Sequence, residues 1–530
     1  ATTEIYTLSL HDALPILVLT ACGGGNTTAP TTGASSGGET QTASESAESG
    51  KITKTDIVVG QASDIVTLDP AGQQDTTSGV LMKHAYSTLL DVDNEGKVVP
   101  DLAESYEMKS DTEYVFKLRE DACFWDGTPV TAQDVKFSLD RAKGMPKTKS
   151  NTSKIEEVTV NGDHEVTIKL TEPYAAFKTI VTQHNLSILS EKAVTEAGDS
   201  YGDVDNLLGS GPFKVTEWVP NDHYTLVRND NYWGEMPIAT SITCRVIPEG
   251  SARTIALEAG EIDVVWSVDP TDCANVESNP DVKLLSQPST GIDYVGMNTQ
   301  KEKFSDKRVR QAINYALDKQ TFVDTIIEGR GLVANSYINA AIPGWTDEVE
   351  AYPYDPEKAK ELLAEAGYPD GFECSIFVNG DLRTRSAQIL QAQLADVGIK
   401  VDISTYEWGA LLDTLNAGEH EMFLLGWSNT SFDPDGSTYQ LFYSGNHGAT
   451  GNRAFFSNDK VDELILSAQR ESEESKRMEL YKELQFVLHE ESPWCPLYYK
   501  ENNVGVRADL KGFTLHAGAQ HYLGNCHYEE

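Results

Sequence analysis

Past the first fifty residues, hydrophobic and polar positions alternate in two periods, one suited to strands and one to helices. "DIVVGQ", 56–61, is a short apolar run of the kind buried in a sheet. "EYVFKLRE" and "HEVTIKL" alternate residue by residue, which predicts strands with one buried face. "TPVTAQDVKFSLDRAK" places apolar residues at helical spacing behind Thr131, an N-cap candidate with Asp134 three positions on. "DKRVRQAINYALDKQTFVDTII" predicts one long amphipathic helix. "DPEKAKELLAEAG" has Pro356 in its first turn and Gly367 past its end, a start and a stop. "RSAQILQAQLADVG" predicts a helix that passes through Gly398 into the strand "IKVDIS", and 460–491 reads as one or two further helices. Helices alternating with strands give an α/β fold class, sheets covered by helices, with no internal repeat.

The first fifty residues follow neither period. From Gly23 to about Gly50 the chain is a Gly/Ser/Thr spacer with nothing to bury. At its head stands Cys22, behind Leu19-Thr20-Ala21, a pattern that resembles the bacterial lipoprotein processing box. A lipidated Cys22 would tether a folded body through a loose linker. The apolar stretch 13–19 is short and broken by Pro15, and no Lys or Arg precedes Lys51. "EIYTLSLHDALPI" resembles translated adapter read-through, so the expectation is that 1–15 replace an authentic start; a divergent signal peptide is the alternative. The formally matching Gly33-Ala34-Ser35-Ser36-Gly37 is a composition accident, since a nucleophile elbow works only on a strand-to-helix turn.

Composition narrows the function. A chain of 530 residues with net charge −40 is long enough for several cores and carries the wrong sign for nucleic acid. Beyond Cys22 the cysteines (123, 244, 273, 374, 495 and 526) are scattered, with no C-x-x-C pair. Buried free thiols are the expectation for most of them. No metal site and no cofactor are expected: histidines show no i, i+4 pair, and Pro493 stands where H-E-x-x-H needs its second histidine. "DVDNEGKVVPDL" begins like a calcium loop, but its twelfth position is Leu102, so a turn at Asn94-Glu95-Gly96 is the reading. No Walker loop occurs, and an enzyme has no constellation to stand on.

Longer blocks carry a family resemblance. "YSTLLDVDNEGKVVPDLAESYEMKSDTEYVFKLREDACFWDGTPVTAQDVKFSLDRA", "GSGPFKVTEWVPNDHYTLVRNDNYWG", "ALEAGEIDVV", "GMNTQKEKFSDKRVRQAINYALDKQ", "YPYDPEKAKELLAEAGYPDGF" and "LLGWSNTSFDPDGSTYQLFYSG" follow one another in order. Together they resemble the peptide-type, family 5 extracellular solute-binding proteins of ABC importers. The resemblance implies a periplasmic-binding-protein-like two-lobed fold of class II, with an inserted subdomain and a ligand cleft between lobes that close by hinge motion. It implies lobe I from 51–90, 206–290 and 495–530, an inserted subdomain over 91–205, and lobe II over 291–494. It also implies a peptide ligand, permease subunits as partners, and a monomer tethered at the extracellular face of the membrane or in the periplasm. The alternatives are the same fold with a nickel chelate, an oligosaccharide or a signalling peptide, and, remotely, a hydrolase.

Candidate ligand residues follow from these blocks. Ser210 and Gly211, in Gly-x-Gly-Pro, let a backbone approach closely, or else shape a turn. Tyr294 and Asn298 bracket the strand opening lobe II. Trp427 offers an apolar platform or a core side chain. Dipeptide- and oligopeptide-binding relatives place an aspartate shortly after this tryptophan to pair with the ligand's amino group, and Thr430 occupies that position here. This departure is similar to glutathione-binding members and removes a charge-assisted bond. Asp433 and Asp435 are the carboxylates that compensate, or Asp433-Pro434 opens a turn. For a ligand carboxylate the candidates are Arg383 and Arg385, placed by the pattern in a loop before a helix, with Arg453 as rival.

Overall fold

The computed structural model describes residues 51–530. Two long strands, Val282–Met297 and Trp494–Arg507, pair antiparallel from Val282↔Arg507 to Gly296↔Trp494 and organise the rest. Their register shifts between Pro288 and Ile292 and again between Asp293 and Tyr294. At one end Gly505 and Val506 pair with Val264–Val265, and the sheet continues through Asp56–Gln61, Ser241–Val246, His223–Arg228 and Phe213–Val219. At the other end Gly291 to Met297 pair with Met422–Ser428, and the sheet continues through Phe372–Val378 and Ile399–Thr405. One 11-stranded sheet thus serves two lobes joined by the long pair.

Each lobe buries both faces of its part of the sheet. In the first, Ile57, Val59 and Tyr224 pack on one side and Leu257, Ile262 and Val265 on the other. In the second, Ile376, Leu390 and Met422 fill one core and Tyr294, Phe423 and Trp494 the other. The parallel neighbours Phe372–Val378 and Ile399–Thr405 are joined by the helix Gly380–Ala395, the crossover that parallel pairing demands. A separate four-stranded antiparallel sheet, Ala103–Ser110, Glu113–Leu118, Glu165–Leu170 and Ile155–Gly162, packs its own core of Phe116, Leu139 and Ile168. The two-lobed α/β fold with an inserted body is therefore present.

Most local expectations hold. Thr131 and Asp134 form the reciprocal capping box at the start of Ala132–Lys143. Gly96 has φ +81° in the expected turn, which joins the small hairpin Leu90–Val92 and Val98–Pro100. All six described cysteines are free, five of them buried.

Two expectations are corrected. The single helix over 306–327 is two, Lys307–Ala316 and Lys319–Thr325. Leu317 and Asp318 are extended between them, with Asp318 N–H bonded to the Gln393 side chain and its carboxylate accepting from Thr321. Apolar periodicity runs on through such a break, because both helices face the same core. Arg383 and Arg385 lie not in a loop but in the opening turns of the helix Gly380–Ala395. Gly380, at φ +69°, lets the helix begin earlier than its apolar pattern does. Cys22 and the 33–37 motif lie outside the described residues.

Candidate ligand-binding site

Between the lobes lies a cavity of about 390 Å³. Its first-lobe wall is the opening turn of the helix Thr76–Ala85, whose N-cap Asp75 accepts from Ser78 N–H at 2.9 Å. Its second-lobe wall is the end of the strand Met422–Ser428 together with Arg383 and Trp408. The long pair closes the floor with Lys500 to Asn503, and the inserted body contributes Gln183 to Asn185. Three indoles, Trp266, Trp408 and Trp427, supply apolar surface between these polar groups. Apolar walls with a few fixed polar partners suit a small-molecule or peptide ligand.

Several cavity-lining side chains retain buried polar atoms that bond to nothing else among the described residues: Asp75 Oδ2, Gln520 Oε1, Trp266 Nε1, Trp408 Nε1 and Arg383 Nε. A buried polar atom without a partner costs roughly 1–3 kcal/mol, so such groups are well suited to satisfaction by a ligand. Burial raises the carboxyl of Asp75 above its ordinary value, against the bond from Ser78. Burial likewise drives His184 down to about 4 and His521 down to about 3, so both imidazoles are neutral at pH 7.

Of the sequence candidates, the structure brings Arg383, Arg453, Trp427 and Thr430 to the cavity. Arg383 donates to Asn379 Oδ1 at 2.8 Å, lies 6.0 Å above the Trp408 ring, and stands 3.8 Å from Asp293. Asp293 is paired at 2.8 Å with Lys500, and Gly426 opposite it leaves the room: a Cβ there would meet Asp293 Oδ1 at 3.0 Å. Trp427 is held by its Nε1 donating to Gly436 O at 3.1 Å. Thr430 Oγ1 donates to Gln183 Oε1 at 2.9 Å, so this hydroxyl links the second lobe to the inserted body.

The others sit off the cavity wall. Ser210 is fully buried, its Oγ accepting from Ser87 N–H, while Gly211 packs against the backbone of Ala85 and Tyr86. Tyr294 stacks on Trp494 at 3.4 Å between centroids, in the second-lobe core. Burial raises the Tyr294 phenol, and the cationic Arg453 and Arg383 partly oppose that rise. Asn298 donates to Gly418 O and His420 O, tying a loop. Asp433 forms a buried two-pronged pair with Arg477, so it compensates a cation of its own lobe. Asp435 accepts from Tyr174 Oη at 2.6 Å and from Gln469 at 2.9 Å, and burial pushes it up to about 6. Arg385 pairs across the lobes with Asp269 at 2.8 Å.

Sequence reasoning passed over Asp75, Trp266, Trp408 and Gln520. Asp75 carries an N-cap signal that explains it fully as a local structural residue, and nothing in the one-dimensional pattern aims its second oxygen at a cavity. The three others stand alone in the sequence, without a motif.

Comparison with known proteins agrees with this architecture. The family model described as bacterial extracellular solute-binding proteins, family 5 middle, matches residues 97–449. The glutathione-binding protein GsiB of Shigella boydii is 32% identical over 479 residues, 87% of this chain and 92% of that protein. Among solved structures, the periplasmic binding protein DppA from Helicobacter pylori, in complex with the peptide STSA, superposes with a TM-score of 0.86 at 28% identity. It covers 90% of this chain and 99% of DppA. The binding protein AgaA from A. tumefaciens R10, in complex with agropinic acid, gives a TM-score of 0.84 at 27% identity, covering 90% and 99%. The chain belongs to the family 5 bacterial extracellular solute-binding proteins.

Proposed function

We propose that the protein is a peptide receptor that encloses its ligand between two lobes and delivers it to the permease of an ABC importer. The observation that carries this reading is the cavity between the lobes, walled by three tryptophans and lined with buried polar atoms that lack a partner among the described residues. Relatives named for glutathione and for a bound tetrapeptide support a short or atypical peptide. Thr430 on the cavity wall supports the atypical choice, because a hydroxyl offers an ammonium no opposite charge.

In this reading 51–90, 206–290 and 495–530 form lobe I, 291–494 form lobe II, and 91–205 are inserted, with the long strand pair as the flexing connection. Arg385–Asp269 and Arg330–Glu277 bridge the lobes beside the cavity. Cys22 is the proposed lipid anchor. Cys22→Ser, behind a functional signal peptide, should release the protein from membranes with binding intact; retention in the membrane fraction would remove the anchor from the account. The peptide assignment is tested by thermal melts against peptides, sugars and metal chelates. Selective binding by peptides raises the midpoint by mass action, about 2.7 kcal/mol at 100 times Kd. Shifts from a sugar or chelate alone would overturn it.

A further inference from the structure

The cavity reverses the charge of the chain. Asp and Glu outnumber Lys and Arg by 82 to 42 in the sequence. On the cavity wall Arg330, Arg383, Arg453 and Lys500 face only Asp75 and Glu501. Two of these cations have identified partners: Arg330 bonds Glu277 at 2.7 Å, and Lys500 pairs with Asp293 at 2.8 Å. Arg383 shares that same Asp293 at 3.8 Å, a distance that leaves its positive charge incompletely answered.

Arg453 is different again. Its residue is 6% exposed, yet among the described residues no carboxylate lies within 4.0 Å of its guanidinium. Its side chain makes one hydrogen bond there, from Nε to the neutral Asn416 Oδ1 at 3.0 Å. Asp75 is the carboxylate that acts on it through space, and Asp75 already gives one oxygen to Ser78 N–H. The segment that carries Arg453 is fixed. His420 Nε2 bonds the Arg453 carbonyl at 2.8 Å, and Asn452 binds Tyr443 O and Phe456 O. A buried guanidinium held in place, with its Nη fork unspent, is the arrangement that recognises a carboxylate through two parallel bonds.

We infer that Arg453 binds a second acidic group of the ligand, so that the preferred peptide carries a side-chain carboxylate in addition to its terminal one. This rests on the peptide reading above, and it narrows the ligand class to acidic peptides. Arg383, near the Trp408 ring on the same cavity, serves the other carboxylate. Both arginines line the one cavity, so two carboxylates of a single small ligand can meet them there. Asp75 Oδ2, on the same cavity wall and without a hydrogen-bond partner among the described residues, is available to the ligand's amine or amide N–H.

The test is calorimetric titration with short peptides in matched pairs, each Glu-containing peptide, glutathione included, beside its amide counterpart. The wild-type protein should bind its best acidic peptide roughly 10- to 100-fold more tightly than the amide, the range of a charge-assisted bond. In Arg453→Gln that ratio should fall to near one, and Arg453→Lys should keep part of it, as a point charge without the fork. Equal affinity of acid and amide for the wild-type protein overturns the inference while leaving the peptide receptor standing, and this arm needs no variant to fold. An acid preference that survives Arg453→Gln, in a variant with a wild-type circular dichroism spectrum, overturns the assignment to Arg453. Binding of no peptide at all overturns both readings together.

Discussion

Gly211 separates two accounts of the Gly-x-Gly-Pro segment, ligand contact and internal packing. In Gly211→Ala the added methyl would meet the Ala85 carbonyl carbon at 2.5 Å and His84 O and Tyr86 N at 2.6 Å. All three are backbone atoms, about 0.5 Å inside the 3.0 Å limit that Cβ atoms respect, so no side chain can turn aside to make room. The end of the helix Thr76–Ala85 or the 209–212 segment must move instead, at an overpacking cost of roughly 1–3 kcal/mol. For a folded body of this size that amounts to a fall in Tm of about 1–3 °C. Ligand affinity should stay within about twofold, since Gly211 is not on the cavity wall. Differential scanning fluorimetry gives the first quantity and calorimetry the second. An unchanged Tm together with a tenfold weaker Kd would refute the packing account and return the segment to the ligand.

Asp433→Ala strands Arg477 in the second-lobe core and should cost about 3–5 kcal/mol, read in a denaturant titration; a loss under 1 kcal/mol would show that Arg477 finds another partner. Thr430→Asp should shift the affinity ratio of free-amine to amine-blocked peptide toward the free amine by about 10- to 100-fold, and an unchanged ratio would remove Thr430 from the amine's surroundings. The pH profile of stability is set by opposing buried groups. Burial lowers His84, His184, His420 and His489 to about 4 and His516 and His521 to about 3, so their contribution is full above about pH 6.5 and is lost as pH falls through the native values. Burial raises Asp101 to about 7 and Asp435 to about 6, so their contribution is full below about pH 3.9 and is lost as pH rises through those values. Six histidines outweigh these two aspartates and Asp75, whose carboxyl burial also raises, between pH 4 and 6.5, and Tm should rise across that window at fixed ionic strength. A flat or falling profile would contradict the burial of these imidazoles.

Periodicity and caps made the elements legible because both are local. Thr131 with Asp134, and Pro356 with Gly367, mark helix ends by chemistry that acts within a turn. The broken helix at Leu317 and Asp318 escaped, since its cause is the side chain of Gln393, 75 residues away. The early start at Gly380 escaped for a related reason: its first turns face the cavity with Arg383, so they show no apolar stripe. The site was half legible. Trp427, Thr430, Arg383 and Arg453 stood in or near a recognisable block and line the cavity. Tyr294, Asn298, Ser210 and Gly211 stood in equally recognisable blocks and serve packing or loop closure. A block of recognisable sequence marks a requirement of the fold as readily as one of the ligand. Asp75 and Trp408 converge on the cavity from sequence positions more than 300 apart, a relation only tertiary structure creates.

Mass spectrometry of the small molecules released by denaturing the natively purified protein tests the central claim most directly. The account predicts a peptide of a few residues bearing more acidic than basic groups, recovered in near-stoichiometric amount and lost from protein first unfolded and refolded. Recovery of a sugar or a metal chelate in that amount would contradict it.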